Sequence, residues 1–347
     1  MNYIKIISLG LLLILVSCKA NFQQLENNNN SYYLSSTEQL QDKNYNSQIE
    51  AFYNKGKEGT FLGKKNISIY YKIFKQEKNE KAAILISSGR TEAAIKYKEL
   101  IYDLYKNGYS IYIHDHRGQG LSGRMIKNTD MGYIDNFQFY IDDMKYFYDK
   151  ILKKDKHNKI FLLAHSMGGA IGMTYLEQNS KDFNAAAFSS PMLGLPSPSC
   201  AAVKLLEGKE IKYALGTGEY NDDKVAFKDN RLTGSELRYK RMVSAFEQEP
   251  KAKLGGATYQ WVAKSCQQFK YINKNVEKIQ TPFILFSAQN EQIVDTKAHQ
   301  NFVEKAQKLG KDCKAYKVMD AQHELFIEKD AQRTETLNEI FSFFNKY

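Results

Sequence analysis

Hydrophobic and polar residues follow two different periods along most of the chain. Apolar residues recur at every second position from residue 67 to 73, which predicts a strand with one buried face. Predominantly apolar runs are typical of parallel strands that are buried on both faces. Such runs occur in this chain at residues 82–86, 109–113, 160–163, 185–188, 283–286 and 315–319. Stripes with helical spacing lie at residues 97–104, 140–151 and 337–344. This alternation predicts an α/β fold, with a mostly parallel central sheet and helices on both faces.

The alternation of strands and helices lapses between about residues 192 and 280. This stretch contains Pro196, Pro198 and several glycines, together with helix-like pieces such as residues 237–246. We interpret it as a cap inserted over the carboxyl edge of the sheet. The predicted domain therefore covers residues 49–347 and includes this insertion.

The N-terminus has the pattern of an export signal. Lys5 precedes an apolar run at residues 6–16, which is shorter than the roughly 20 residues that a bilayer span needs and suits a secretory signal. The run ends in Leu15-Val16-Ser17-Cys18, which resembles the lipobox of bacterial lipoproteins. We therefore predict a lipoprotein signal peptide over residues 1–17, lipidation of Cys18, and a polar tether over residues 18–48. Lys19 favours the outer membrane or cell surface over the inner membrane.

Charge and cysteine content narrow the range of partners. The net charge is +10, but the basic residues are spread along the chain and no nucleic-acid-binding motif is present, so we expect no nucleic-acid partner. A basic surface could face anionic lipid headgroups or could simply be solvated.

Cys200 and Cys266 could pair or could remain free thiols. We expect no metal ion and no cofactor, since ligand-spaced clusters are lacking and the Gly-rich segment 118–123 has no phosphate-binding context.

The segment from Leu162 to Gly169 is the main chemical signal. A buried strand runs into Ser166, and two glycines follow as a helix begins. This arrangement is typical of a nucleophile elbow, in which small neighbours let strand and helix approach around a strained serine. Ala164 replaces the usual first glycine and is the smallest change available. We predict that Ser166 is the nucleophile and that the amide of Met167 is one oxyanion donor.

A serine nucleophile needs a general base, and the base needs an orienting carboxylate. In this type of site the carboxylate follows the serine along the chain, and the histidine comes last. Asp295, several residues past the predicted strand 283–286, is preferred as the acid over Glu291. His323, between the last predicted strand and the last helix, is the preferred base. His165 adjoins the serine, and we expect the elbow to turn it away.

Five motifs occur in order between residue 67 and the C-terminus: Ser88-Gly89-Arg90 and residues 115–124, 164–170, 290–295 and 323–326. Together they resemble the bacterial lysophospholipase L2 proteins, a branch of the monoacylglycerol lipase group of α/β-hydrolases. The resemblance implies the α/β-hydrolase fold with Ser166, Asp295 and His323 as the triad. It also implies that the amides of Arg90 and Met167 form the oxyanion hole.

The expected activity is hydrolysis of the acyl ester of a single-chain lipid through an acyl-enzyme, with lysophospholipids as the leading substrate. The nearest alternative is a monoacylglycerol lipase or general carboxylesterase, and a non-catalytic lipid-binding lipoprotein is an alternative of another class. We expect an exported protein held at the membrane by its lipid anchor. Apolar cap residues are expected to line an acyl channel, namely Leu193, Leu195, Val203, Leu205 and Leu206. Arg231, Arg238 and Arg241 could hold a headgroup phosphate or could be surface charges.

Overall fold

The computed structural model describes residues 20–25, 31–206, 208–221 and 226–347. Within them the strands form a nine-stranded sheet in the order β1-β9-β8-β7-β6-β4-β5-β3-β2. The β2–β3 and β3–β5 pairs are antiparallel and the other pairs are parallel. The strands are β1 Gln23–Gln24, β2 Lys57–Leu62, β3 Ser68–Phe74, β4 Ala82–Ser87, β5 Tyr109–His114, β6 Ile160–His165, β7 Ala185–Ser189, β8 Phe283–Ala288 and β9 Cys313–Val318. The mostly parallel sheet expected from the sequence is confirmed.

Helices cover both faces of this sheet. They are α1 Thr37–Gln41, α2 Lys43–Asn54, α3 Lys98–Lys106, α4 Gln138–Phe147, α5 Met167–Gln178, α6 Ser199–Leu206, α7 Glu236–Gln248, α8 Tyr259–Asn275, α9 Thr296–Lys308 and α10 Asp330–Lys346. Successive strand residues point to opposite sides, so in β4 Ala83 and Leu85 join one core layer, whereas Ile84 and Ile86 join the other. Helices α4, α5 and α9 pack on the first layer, and α3 and α10 pack on the second. Burial on both sides explains why the strand sequences are apolar runs.

The chain leaves the sheet between β7 and β8 and forms the cap. Its helices α6, α7 and α8 lie in this interval, as the lapse in the sequence pattern indicated. A disulfide between Cys200 and Cys266 joins α6 to α8. Helix α8 also reaches the main core through Trp261 and Ile272. The cap is therefore tied both internally and to the body of the protein.

Residues 31–48 differ from the expectation of a polar tether. Leu40 of α1 and Ile49 of α2 are buried together with Tyr102. Ser35 Oγ donates to the carboxylate of Asp103 at 2.6 Å. A few apolar contacts and buried polar pairs thus hold this polar segment on the domain, although its composition alone could not support a fold.

The predicted signal peptide and Cys18 lie outside the described residues. No helix in the described part of the chain is both long enough and apolar enough to cross a bilayer.

Candidate active site

Ser166 occupies the turn between β6 and α5 in a conformation that few residues adopt. Its φ is 49° and its ψ is −118°, outside the regions that L-residues favour. Its amide donates to the carbonyl of Ser189 at 3.1 Å, and its carbonyl accepts from the amide of Met192 at 2.8 Å. The surrounding backbone thus fixes a strained turn, as functional serine elbows require.

Small residues are required around this turn. A side chain at Gly168 would overlap the backbone carbonyls of Ser87 and Ser88 in the loop after β4, and one at Gly169 would overlap Pro191. Ala164, which stands where the usual pattern has glycine, is fully buried in the core layer below the turn. The fold therefore accommodates its extra methyl group without opening the elbow.

His323 lies in the loop between β9 and α10, and its ring contacts a carboxylate. Its Nδ1 is 2.8 Å from Oε2 of Glu291, and the two side chains are 3% and 0% exposed. The other oxygen of Glu291 accepts from the amides of Ile293 at 2.8 Å and Val294 at 3.2 Å. Burial raises the pKa of Glu291, but the hydrogen bond and charge of His323, together with these two amides, lower it below its ordinary value. Glu291 is thus an ionised acceptor that fixes the orientation of the histidine ring.

Asp295, the acid preferred from the sequence, does not contact His323. Its side chain caps α9 and accepts from the amide of Lys297 at 2.9 Å. Asp295 directly precedes the helix, whereas Glu291 follows the end of β8 closely enough to reach the loop that carries His323. The prediction that Asp295 is the carboxylate paired with His323 is therefore wrong, and Glu291 is that carboxylate. An Asp followed immediately by a helical stripe is an N-cap signal that could have indicated this.

The amides of Arg90 and Met167 lie on two adjacent backbone segments, because Gly168 lets the elbow pack against the loop after β4. Met167 is the first residue of α5, so its amide has no acceptor within the helix. The amide of Arg90 donates to no group among the described residues. Both donors are thus available for an oxyanion.

The loop that carries Arg90 is held from behind by buried polar contacts. Gln119 Nε2 donates to the carbonyls of Gly89 at 2.7 Å and Glu92 at 2.8 Å. The carboxylate of Asp115 accepts from the amide of Ala94 at 2.7 Å, and burial raises its pKa to about 6. Through Gln119, the Gly-rich segment 118–123 thus has a structural role in supporting this loop.

A buried network of charged side chains adjoins the His323 ring, and sequence reasoning missed it. Lys96 Nζ donates to Glu324 at 2.7 Å and also to Glu92. Nε2 of His165 lies 3.2 Å from Glu324, and the rings of His165 and His323 have centroids 4.8 Å apart. Burial raises the pKa of Glu324, but the charges of His165 and Lys96 outweigh this effect and hold the pKa well below its ordinary value. The expectation that the elbow turns His165 away from the site is therefore wrong.

The spacing Glu92-x-x-x-Lys96 is a sequence signal that could have indicated an ion pair. Glu92, His165 and Glu324 lie close enough together to hold a metal ion. However, the ammonium of Lys96 already pairs with both carboxylates. We therefore interpret the group as an ion-pair network that supports the site.

A cavity of about 400 Å³ lies between the sheet edge and the cap, and both Ser166 and His323 line it. This volume is in the range of small-molecule sites. Ser166 Oγ makes no hydrogen bond to the His323 ring in this structure, and such bonds commonly tighten only when substrate binds. The apolar wall consists of Met192, Leu195, Leu232, Met242, Val243, Phe246, Leu254, Trp261, Ile293 and Val294.

The apolar wall differs from the one expected. Of the five expected cap residues, Leu195 lines the cavity, whereas Leu193 is buried in the core. Val203 packs against α8, and Leu205 and Leu206 are 86% and 50% exposed. Because the disulfide side of α6 faces α8, the opposite face of this helix is turned to solvent.

The cap arginines proposed for a headgroup also lie elsewhere. Arg238 is fully buried and pairs with Glu99 at 2.9 Å and Asp330 at 2.7 Å. Arg241 donates to Asn46, and Arg231 is exposed. None of the three lines the cavity. Arg238 therefore stabilises the cap against the body and is not a headgroup ligand.

Comparisons with known proteins agree with this architecture. A family model described as Hydrolase_4, serine aminopeptidase S33, matches residues 78–330. Lysophospholipase L2 of Escherichia coli (strain K12) is 33% identical over 307 residues, covering 85% of this chain and 89% of that protein. Monoglyceride lipase of Mus musculus is 24% identical over 277 residues, covering 79% of this chain and 86% of that protein.

A solved structure gives the same result for the fold. A soluble variant of monoglyceride lipase from Saccharomyces cerevisiae superposes with a TM-score of 0.64 at 20% identity, covering 84% of this chain and 94% of that one. The family match spans β4 to the start of α10 and so includes the elbow, the cap and the His323 loop. The chain therefore belongs to the serine aminopeptidase S33 family of α/β-hydrolases, and lysophospholipase L2 is a relative over most of its length.

Proposed function

We propose that this protein is a lysophospholipase, which cleaves the acyl ester of a single-chain phospholipid through a covalent acyl-enzyme. The observation that carries the proposal is His323, which is oriented by the buried side chain of Glu291 and lines one cavity with a serine held in a strained elbow. The similarity to lysophospholipase L2 supports the substrate class.

In the proposed reaction, Ser166 Oγ attacks the ester carbonyl and His323 takes its proton. Nδ1 of His323 is engaged by Glu291, so Nε2 is the nitrogen that accepts this proton. The negative charge of the tetrahedral intermediate is stabilised by the amides of Arg90 and Met167. His323 then gives the proton to the leaving glycerol oxygen, and water releases the fatty acid in a second step of the same kind.

The cavity suits one acyl chain. Most of its wall is aliphatic or aromatic and comes from the cap, including Leu232, Val243 and Phe246. Burying each methylene group of a chain there contributes about 0.8 kcal/mol. Arg90 also lines the cavity and offers a cation to the headgroup.

The proposal is tested by labelling and by lipid hydrolysis. The purified protein should react with a fluorophosphonate probe and release fatty acid from 1-acyl lysophosphatidylcholine, and Ser166→Ala should abolish both. Ser47→Ala, at an exposed position of α2, is the matched control and should retain both. Labelling that survives in Ser166→Ala would contradict the assigned nucleophile. Faster release from monoolein than from lysophosphatidylcholine would instead favour a monoacylglycerol lipase.

We also propose that the protein is exported and anchored through acylated Cys18. The supporting observations are the lipobox-like sequence and the Cys200–Cys266 disulfide, since disulfides persist in oxidising compartments outside the cytosol. Mass spectrometry of the N-terminal peptide from membranes should find lipid on Cys18. Cys18→Ser should move the protein to the soluble fraction, and an unmodified Cys18 in membrane-bound protein would contradict the proposal.

A further inference from the structure

Arg90, which is partly buried, differs from the fully buried arginines in how its charge is balanced. Arg117, Arg238 and Arg333 each pair with at least one carboxylate within 3 Å. The guanidinium of Arg90 forms no ion pair with any carboxylate among the residues that the structure describes. Of its five N–H groups, one donates to a protein acceptor in that part of the chain, the carbonyl of Gly255 at 3.2 Å.

The position of this guanidinium is fixed although its charge is unmatched. It lies over the ring of Trp261, with the guanidinium carbon 5.4 Å from the ring centroid. Gly132 leaves room beside it, because a Cβ there would come within 3.0 Å of Nη1. Burial lowers the pKa of Arg90 to about 10, so the group remains charged at neutral pH. Partly removing such a charge from water without a carboxylate partner carries a cost, and an anionic ligand would reduce this cost.

The cavity beside Ser166 is where that ligand would bind, since Arg90 lines it and keeps partial exposure there. The two carboxylates that line the same cavity, Glu92 and Glu324, are both paired with Lys96. Neither of these carboxylates forms an ion pair with Arg90, so its guanidinium is the group in the cavity that would attract an anionic ligand.

On the basis of the proposed lysophospholipase activity, we infer that the Arg90 side chain binds the phosphodiester of the substrate headgroup and selects phospholipids over uncharged monoacylglycerols. A guanidinium recognises phosphate through paired N–H donors. In a lysophospholipid only the glycerol carbons separate the phosphate from the scissile ester. A comparable length of side chain separates the guanidinium of Arg90 from its own amide, which is the proposed oxyanion donor. One residue can thus contact both the reacting carbonyl and the phosphate.

The first test compares two substrates with the same acyl chain. kcat/KM is measured for 1-palmitoyl lysophosphatidylcholine and for 1-monopalmitin in the same mixed micelles. In Arg90→Gln the ratio of the two values should fall about tenfold or more, because a hydrogen-bonded charge pair with phosphate is lost. Arg90→Lys keeps the charge but not the paired donors, and its ratio should be intermediate. Arg231→Gln, at an exposed cap arginine outside the cavity, is the matched control and should leave the ratio unchanged.

The second test uses the wild-type protein and so does not depend on a variant that folds. sn-Glycero-3-phosphocholine should competitively inhibit the hydrolysis of p-nitrophenyl butyrate, and glycerol at the same concentration should not. The headgroup role would be overturned if Arg90→Gln lowered kcat/KM equally for both lipids and if the two competitors inhibited the wild-type protein equally. Arg90 would then be only a support of the oxyanion loop. That result would leave the proposed lysophospholipase activity standing. Failure of the proposed function would be seen differently, as Ser166-independent release of fatty acid or as no release from lysophosphatidylcholine.

Discussion

The identity of the catalytic acid can be tested by exchanging one atom. Glu291→Gln keeps the size of the side chain and can keep both backbone hydrogen bonds through its remaining oxygen. However, it places an amide NH₂ opposite Nδ1 of His323, where a carboxylate oxygen now lies at 2.8 Å. Two donors cannot face each other, so Nδ1 must become the acceptor and the ring proton must move to Nε2. In that tautomer His323 cannot take the proton of Ser166.

The size of the effect follows from this change of tautomer. The Glu291 side chain is 0% exposed, so water cannot bridge the mismatch or screen it. Replacing the acid of such a triad by its amide lowers kcat by about 10⁴-fold, and each tenfold step is about 1.36 kcal/mol of activation free energy. We therefore expect Glu291→Gln to reduce kcat by about 10³- to 10⁴-fold with little change in KM, because Glu291 does not line the cavity wall.

Asp295→Asn is the control, because asparagine caps a helix about as well as aspartate. It should retain most of the activity and stability. Both variants are assayed with p-nitrophenyl butyrate and lysophosphatidylcholine, and circular dichroism checks that they are folded. A folded Glu291→Gln protein with more than a tenth of wild-type kcat, or an Asp295→Asn protein that has lost activity, would refute the assignment.

Two further predictions concern stability. Burial raises the pKa of Glu177 to about 9 from 4.5, so the folded protein keeps this proton to higher pH than the unfolded chain and loses stability as the pH rises between these values. Glu177→Gln should therefore melt several degrees above wild type at pH 8 but close to it at pH 5, and an equal difference at both pH values would contradict this. The Cys200–Cys266 disulfide spans 66 residues, and in the loop-entropy model its loss costs about 4 kcal/mol. Cys266→Ser should lower the melting temperature and speed proteolysis of the cap, unlike Cys313→Ser at the free thiol, and identical cleavage of the two variants would count against the role of the disulfide.

Much of the fold could be predicted from the sequence because its signals are local. Strands buried on both faces must be apolar along their length, and the runs at 82–86 and 160–163 became β4 and β6. The serine elbow was recognisable because strain at one residue demands small neighbours, and Gly168 and Gly169 supply them. The edge strand β2 was missed, since its pattern is largely exposed and carries little periodicity.

The tertiary structure decided which charged groups meet. Glu291 and Asp295 are similar as candidates in the sequence, but the turn after β8 brings Glu291 to His323 and leaves Asp295 to cap α9. Likewise, sequence cannot show that Arg238 is neutralised by carboxylates and that Arg90 is not. Local patterns determine secondary structure because their physics acts over a few residues. The pairing of buried charges depends on contacts between residues far apart in the chain, and only the folded arrangement fixes these.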